Sequence, residues 1–127
     1  MKATRKKAEH TVAELLAASR TNGRAVTGLV GTLGALNEGR AWRVLYGERV
    51  RLKGYECATC AALFAADRES CSYCGSVLRV VDNMIARIVD FTRERAIDVQ
   101  VVQGSDSAAI SAAAGGIGAF LKTTRRR

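Results

Sequence analysis

The stretch CATCAALFAADRESCSYCG, from Cys57 to Gly75, holds all four cysteines of the chain and constrains its fold more than any other. Its pattern is C-x2-C, ten residues, C-x2-C, formed by Cys57, Cys60, Cys71 and Cys74. Two such pairs are how a chain wraps a tetrahedral ion. Each two-residue loop turns its thiolates toward one point and lets backbone amides bond the sulfurs. Gly75 follows the second pair, where the loop favours a residue free of a Cβ, whereas Ala61 takes that place after the first. A closed four-thiolate site leaves no position for water or substrate, so it points to a structural role. A redox dithiol would need one C-x-x-C opening a helix, not two facing pairs. The expected ion is one structural zinc per chain. Iron satisfies the same ligands, and disulfides are the remaining alternative. An insertion this short has little core of its own, so metal binding is expected to supply its folding energy. Leu63, Phe64, Tyr73 and Val77 are its expected mini-core. As a satellite of the main core, it is expected to loosen on loss of Cys71 while the rest stays folded.

The surrounding chain is long enough to bury a substantial core. It has 127 residues and no proline, so no rigid Pro-rich linker divides it. No apolar run is long enough to span a bilayer, since Ala108 to Leu121 is broken by Gly115, Gly116 and Gly118. The basic start MKATRKKAEH lacks the apolar segment of a signal peptide, and Glu9 and Glu14 argue against a transit helix. A cytoplasmic location is expected, where four paired cysteines favour metal over disulfides.

The net charge of +8 is gathered at the chain ends. Residues 1–24 hold six basic and two acidic groups, residues 122–127 hold four basic ones, and the body between carries ten of each. Arg5, Lys6 and Lys7 at one end and Arg125, Arg126 and Arg127 at the other are the candidate nucleic-acid contacts. Such ends are usually solvated, disordered tails that add weak, salt-sensitive attraction to a polyanion. The sole histidine, His10, faces neither cysteine pair, and no acid pair has a spacing tied to a reaction. Catalysis is therefore not expected, nor is a small-molecule substrate.

Apolar periodicity orders the elements. Lys6 to Ser19 reads as a helix with Ala8, Val12, Leu15, Leu16 and Ser19 on one face, ended by the Asn22-Gly23 turn. A second helix is expected from about Ala25 to Asn37, with Gly39 as its C′ residue. Gly28, Gly31 and Gly34 form a row inside it that suggests close approach of a neighbouring element. AWRVLYG (Ala41 to Gly47) is a strand, and RVRLKG continues extended toward the cysteines. A helix from about Asn83 to Arg95 follows, capped by Asp82, with Met84, Ile85, Ile88, Val89 and Phe91 buried. IDVQVVQG is a strand with Val99 and Val101 on one face. A short alanine-rich helix and the strand GGIGAFLKT finish the chain. Helices alternating with single strands predict an α/β fold, a three-layer α/β/α sandwich with one inserted zinc ribbon.

In order, GRAVTGLVGTLGALNEGRAWRVLY, the cysteine ribbon, VVDNMIARIVDFTRERAIDVQVVQG and AAGGIGAFLKT resemble the C-terminal domain of the archaeal and eukaryotic class-1 peptide-chain release factors. Bacterial release-factor-like homologues and the ribosome-rescue protein Pelota share that domain. The resemblance covers Glu14 to Thr123 and implies the fold of the kink-turn-binding ribosomal proteins. It implies a connector helix over 1–22, the sandwich over 23–54 and 80–123, the inserted zinc ribbon over 55–79, and a basic tail over 124–127. The family's hydrolytic Gly-Gly-Gln motif is not matched, because Gly115-Gly116 is followed by Ile117. The chain is thus expected to be a non-catalytic C-terminal piece of a longer protein.

The resemblance also implies partners. Release-factor C-terminal domains dock proteins, notably a translational GTPase. The ribosomal relatives grip kinked RNA through Gly-x-Asn-Glu-x-x-Lys. Anchoring that motif on Gly28 puts Val30 and Gly31 at its Asn-Glu positions and Gly34 at its lysine. All three polar contacts are missing, which favours a protein partner over the alternative, an RNA- or ribosome-binding module using the basic termini. The ribbon tip, Asp67, Arg68 and Glu69, is the candidate partner contact; its plain reading is a solvated turn.

Overall fold

The computed structural model describes residues 2–21, 23–66 and 69–122, with side chains from residue 12 onward. Its elements run α1 (Lys2–Thr21), β1 (Ala25–Thr27), α2 (Gly28–Asn37), β2 (Ala41–Gly47), β3 (Gly54–Cys57), β4 (Leu63–Phe64), β5 (Leu78–Val81), α3 (Met84–Glu94), β6 (Asp98–Val102), α4 (Gly104–Ala114) and β7 (Ile117–Leu121). Four strands form the main sheet in the order β1-β7-β2-β6. β7 is antiparallel to both its neighbours, and β2 pairs in parallel with β6.

Strand alternation builds two cores from one sheet, because successive side chains point to opposite faces. Val44 and Ala119 face α2 and α3, where Leu33, Leu36, Ile88 and Phe91 close the first core. Their neighbours Leu45 and Phe120 face α1 and α4, where Val12, Leu15, Ile110 and Ala114 close the second. This is the expected three-layer sandwich. The helix expected as a connector contributes one of its layers: Leu15 is fully buried. Arg5, Lys6 and Lys7 all lie on α1, which begins at Lys2, ahead of the helix expected from Lys6.

Local expectations fail at informative places. Ala25–Thr27 is a strand rather than the first turn of a helix, because β-branched Val26 and Thr27 pair with Ala119 and Gly118 of β7. The helix then starts at Gly28 and ends in a Schellman motif, with Gly39 at φ +72, Arg40 N–H donating to Ala35 O at 2.9 Å and Gly39 N–H to Leu36 O at 3.1 Å. Of its glycine row, Gly31 closely approaches Val26, whereas a Cβ at Gly28 or Gly34 would meet open space. The expected cap Asp82 is displaced by one residue: Asn83 Oδ1 accepts from Ala86 N–H at 3.1 Å. On β6 the fully buried residue is Val102, and Val101 is exposed, because β6 is a sheet edge with one side uncovered. Among the described residues, no helix is long and apolar enough to cross a membrane.

The insertion between β2 and α3 forms a second sheet, ordered β4-β3-β5. It is more firmly rooted than a satellite. Leu63, expected in a separate mini-core, is fully buried in the main core with Leu36 and Met84. On β4 the pair Cys57/Ala62 carries the ladder bond, so the backbone groups of Leu63 point away from β3. The Asn37 amide meets both: its Nδ2 donates to Leu63 O at 2.7 Å and its Oδ1 accepts from Leu63 N–H at 2.9 Å. One side chain of α2 thus stands in for a strand along that edge. On β3, Glu56 is buried and receives Arg87 of α3 at 3.0 Å and Arg79 of β5 at 3.8 Å. Gly54 lies under Met84, with no room for a side chain.

Candidate metal centre

The two cysteine pairs sit on matching turns. Cys57 O accepts from Ala61 N–H at 3.2 Å, and Cys57 N–H donates to Ala62 O at 2.9 Å. In the second turn Cys71 O accepts from Gly75 N–H at 2.9 Å, and Cys71 N–H donates to Ser76 O at 2.8 Å. Each turn closes through a left-handed residue, Gly75 at φ +83 and Ala61 at φ +69. The alanine bears a cost of about 1–2 kcal/mol in that conformation, which the glycine of the second turn does not.

These turns bring the four sulfurs within 4.8 Å of one another, with Cys57 and Cys71 buried and Cys60 and Cys74 exposed. Two separations that cross between the turns are Cys57 to Cys74 at 3.4 Å and Cys60 to Cys71 at 3.7 Å. A tetrahedron with metal–sulfur bonds of about 2.3 Å has edges of about 3.8 Å, so the cage has the dimensions of such a site. All four cysteines are free thiols, which removes the disulfide alternative.

Backbone amides already point at the sulfurs. Cys57 Sγ accepts from Cys60 N–H and Thr59 N–H, both at 3.3 Å, and Cys71 Sγ accepts from Tyr73 N–H at 3.3 Å. The Cys60 amide, with Thr59, holds the Cys57 thiol below its ordinary value against the opposing effect of burial. At Cys71 burial pushes up, while the amides of Tyr73 and Cys74 and the Cys60 and Cys57 side chains bring the thiol below its ordinary value. The Ser76 amide, then its side chain, lowers Cys74. Cys60 goes the other way. The Ala62 amide pulls it down, but burial and the three neighbouring sulfurs push it up to about 12. Four thiolates this close repel, and a divalent cation is what allows the fourth to ionise. The donor set therefore fits a soft or borderline cation and could hold one ion with all ligands supplied by the chain.

The rest of the ribbon differs from expectation. Its small core is Phe64 with Ala62, Cys57 and Cys71, flanked by Tyr55 and Leu78. Tyr73 lies 6.1 Å from Phe64 yet is half exposed, and Val77 is 68% exposed, too open to be core. At the tip, Glu69 is exposed in a bend, and Asp67 and Arg68 lie outside the described residues. Arg125, Arg126 and Arg127 lie outside them too, and of Arg5, Lys6 and Lys7 only the backbone is described. Val30, at the position matched to the RNA-gripping asparagine, is 74% exposed and apolar. The residues that root the cage, Asn37, Glu56 and Arg87, were not singled out from the sequence. Their partners lie 26 and 31 positions away, beyond any local pattern.

No family model and no curated protein matches this chain. Among solved structures, the C-terminal domain of a peptide chain release factor from Methanosarcina mazei is similar to it, with a TM-score of 0.61 and 20% sequence identity. The likeness covers 97% of this chain and 83% of that one. At that identity, what the two chains share is the fold.

Proposed function

We propose that this chain is a non-catalytic docking domain acting in translation termination or ribosome rescue, with a structural zinc held by Cys57, Cys60, Cys71 and Cys74. The observation that carries the reading is the likeness to a release-factor C-terminal domain over 97% of the chain. The four-sulfur cage supports the structural half: the chain supplies all four ligands, so a bound ion keeps no open position for chemistry. The partner is a protein, with a translational GTPase as the first candidate and the tip residues Asp67, Arg68 and Glu69 as a proposed contact. The exposed apolar Val30, where the ribosomal relatives carry a polar RNA contact, supports protein docking over base readout at the start of α2.

The test is calorimetric titration of the zinc-loaded chain with purified translational GTPases from its source. One of them should bind saturably, and binding should weaken on Glu69→Lys. If none binds, while structured RNA binds tightly and without salt dependence after trimming of residues 1–7 and 122–127, the docking reading is wrong. Added to ribosomes charged with peptidyl-tRNA, the chain should release no peptide.

A further inference from the structure

The charge of the body sums to zero in the sequence, but folding does not spread it evenly. Arg40, Arg43, Arg79, Arg87, Arg93 and Arg95 are each spent in an ion pair. Among the described residues, Arg49, Arg51 and Lys53 form no ion pair and no side-chain hydrogen bond, and all three are exposed. They occupy alternate positions on the segment joining β2 to β3, along an open groove that also takes in Tyr46 and Asn83. The intervening Val50 and Leu52 are partly buried, and both also line the groove. Val50 fills the space beside Gly116, and Leu52 packs on the main core while its carbonyl accepts from Met84 N–H at 2.9 Å. Of the acids nearby, Glu48 is engaged at the start of α4, accepting from Gly104 N–H at 3.1 Å, and Asp82 lines the groove.

From this arrangement we infer that the segment Arg49–Lys53 is a binding surface for the phosphate backbone of RNA. Val50 and Leu52 anchor the segment, and its exposed positions are all cations. Arg49 sits in the turn closed by Val50 N–H donating to Gly47 O at 3.1 Å, and Arg51 and Lys53 follow it toward β3. Arginine also serves protein interfaces, but the apolar residues lining the groove, Val50, Leu52 and Ile85, are each partly buried, so no large exposed apolar anchor stands at its centre. A phosphate backbone needs a row of charge and little else. Tyr46, partly buried against the main core, also lines the groove. The surface is distinct from the basic termini and from the cysteine ribbon, and it does not depend on the proposed protein partner.

The test is anisotropy of a fluorescein-labelled RNA hairpin titrated with the full chain across a salt series. The parent is compared with Arg49→Gln/Arg51→Gln/Lys53→Gln and with the charge-preserving Arg49→Lys/Arg51→Lys. Each phosphate neutralised contributes about 0.7–0.9 to the slope of log affinity against log salt. The triple variant should therefore flatten that slope by about 2–3 and weaken binding at least about tenfold at low salt. The lysine variant should keep the parent slope, and thermal melts of all three proteins should coincide. An unchanged slope in the triple variant, absence of RNA binding by the parent, or tighter binding of polyglutamate than of the hairpin would each overturn the inference.

Discussion

Replacing Asn37 by alanine should destabilise the whole domain, although Asn37 ends a helix of the sandwich and its partner belongs to the ribbon. The amide satisfies both outward backbone groups of Leu63 at 2.7 and 2.9 Å, and Leu63 is 0% exposed. Alanine leaves a buried N–H and a buried C=O without partners, each costing about 1–3 kcal/mol. Partial relaxation brings the expected loss to about 3 kcal/mol. For a domain of this size, at about 4 °C per kcal/mol, Tm should fall by about 12 °C. The assay is a thermal melt followed by circular dichroism, with and without chelator. In the parent, chelation should lower the Tm of the sandwich as well as loosen the ribbon, because Leu63 hangs from the sheet that carries the cysteine cage but packs in the main core. In Asn37→Ala that coupling should shrink. A loss below about 0.5 kcal/mol, within the range of ordinary surface substitutions, would refute the idea that this clamp joins the two sheets.

Two further substitutions probe the sandwich itself. Thr32 is fully buried and its hydroxyl has no hydrogen-bond partner among the described residues, so Thr32→Val should be neutral or stabilise by up to about 1 kcal/mol in a denaturant titration. Gly118→Ala should cost about 1–3 kcal/mol by the same assay, because its Cβ would stand 2.6 Å from Leu15 Cδ2 and 3.0 Å from Val26 O. A silent Gly118→Ala would mean that α1 is not a packed layer of the domain.

What could be read from the sequence was local and periodic. Adjacent Val44 and Leu45 announce a strand covered on both faces, Gly39 announces the end of α2, and the cysteine spacing announces a cage. What was hidden depends on pairing across the chain. β1 is three residues long, too short for a period, and exists because β7 pairs with it. Asp82 and Asn83 are equally good caps by type, and only the path of the chain into α3 selects Asn83. Leu63 lies close to the cysteines in sequence, yet the outer edge of β4 delivers it to α2. The cationic row at Arg49–Lys53 was masked by a body charge of zero. Arg43 meets Asp98 55 positions away and Arg87 meets Glu56 31 positions away, so which cations remain free is decided by the fold.

The central claim is that the four cysteines form one closed, structural metal site. X-ray absorption at the zinc edge of the purified protein, together with metal analysis, addresses it most directly. The account predicts one zinc per chain in a single shell of four sulfurs at about 2.3 Å, with no nitrogen or oxygen in the first shell. A light-atom ligand in that shell, or a metal-free protein that keeps its fold, would contradict it.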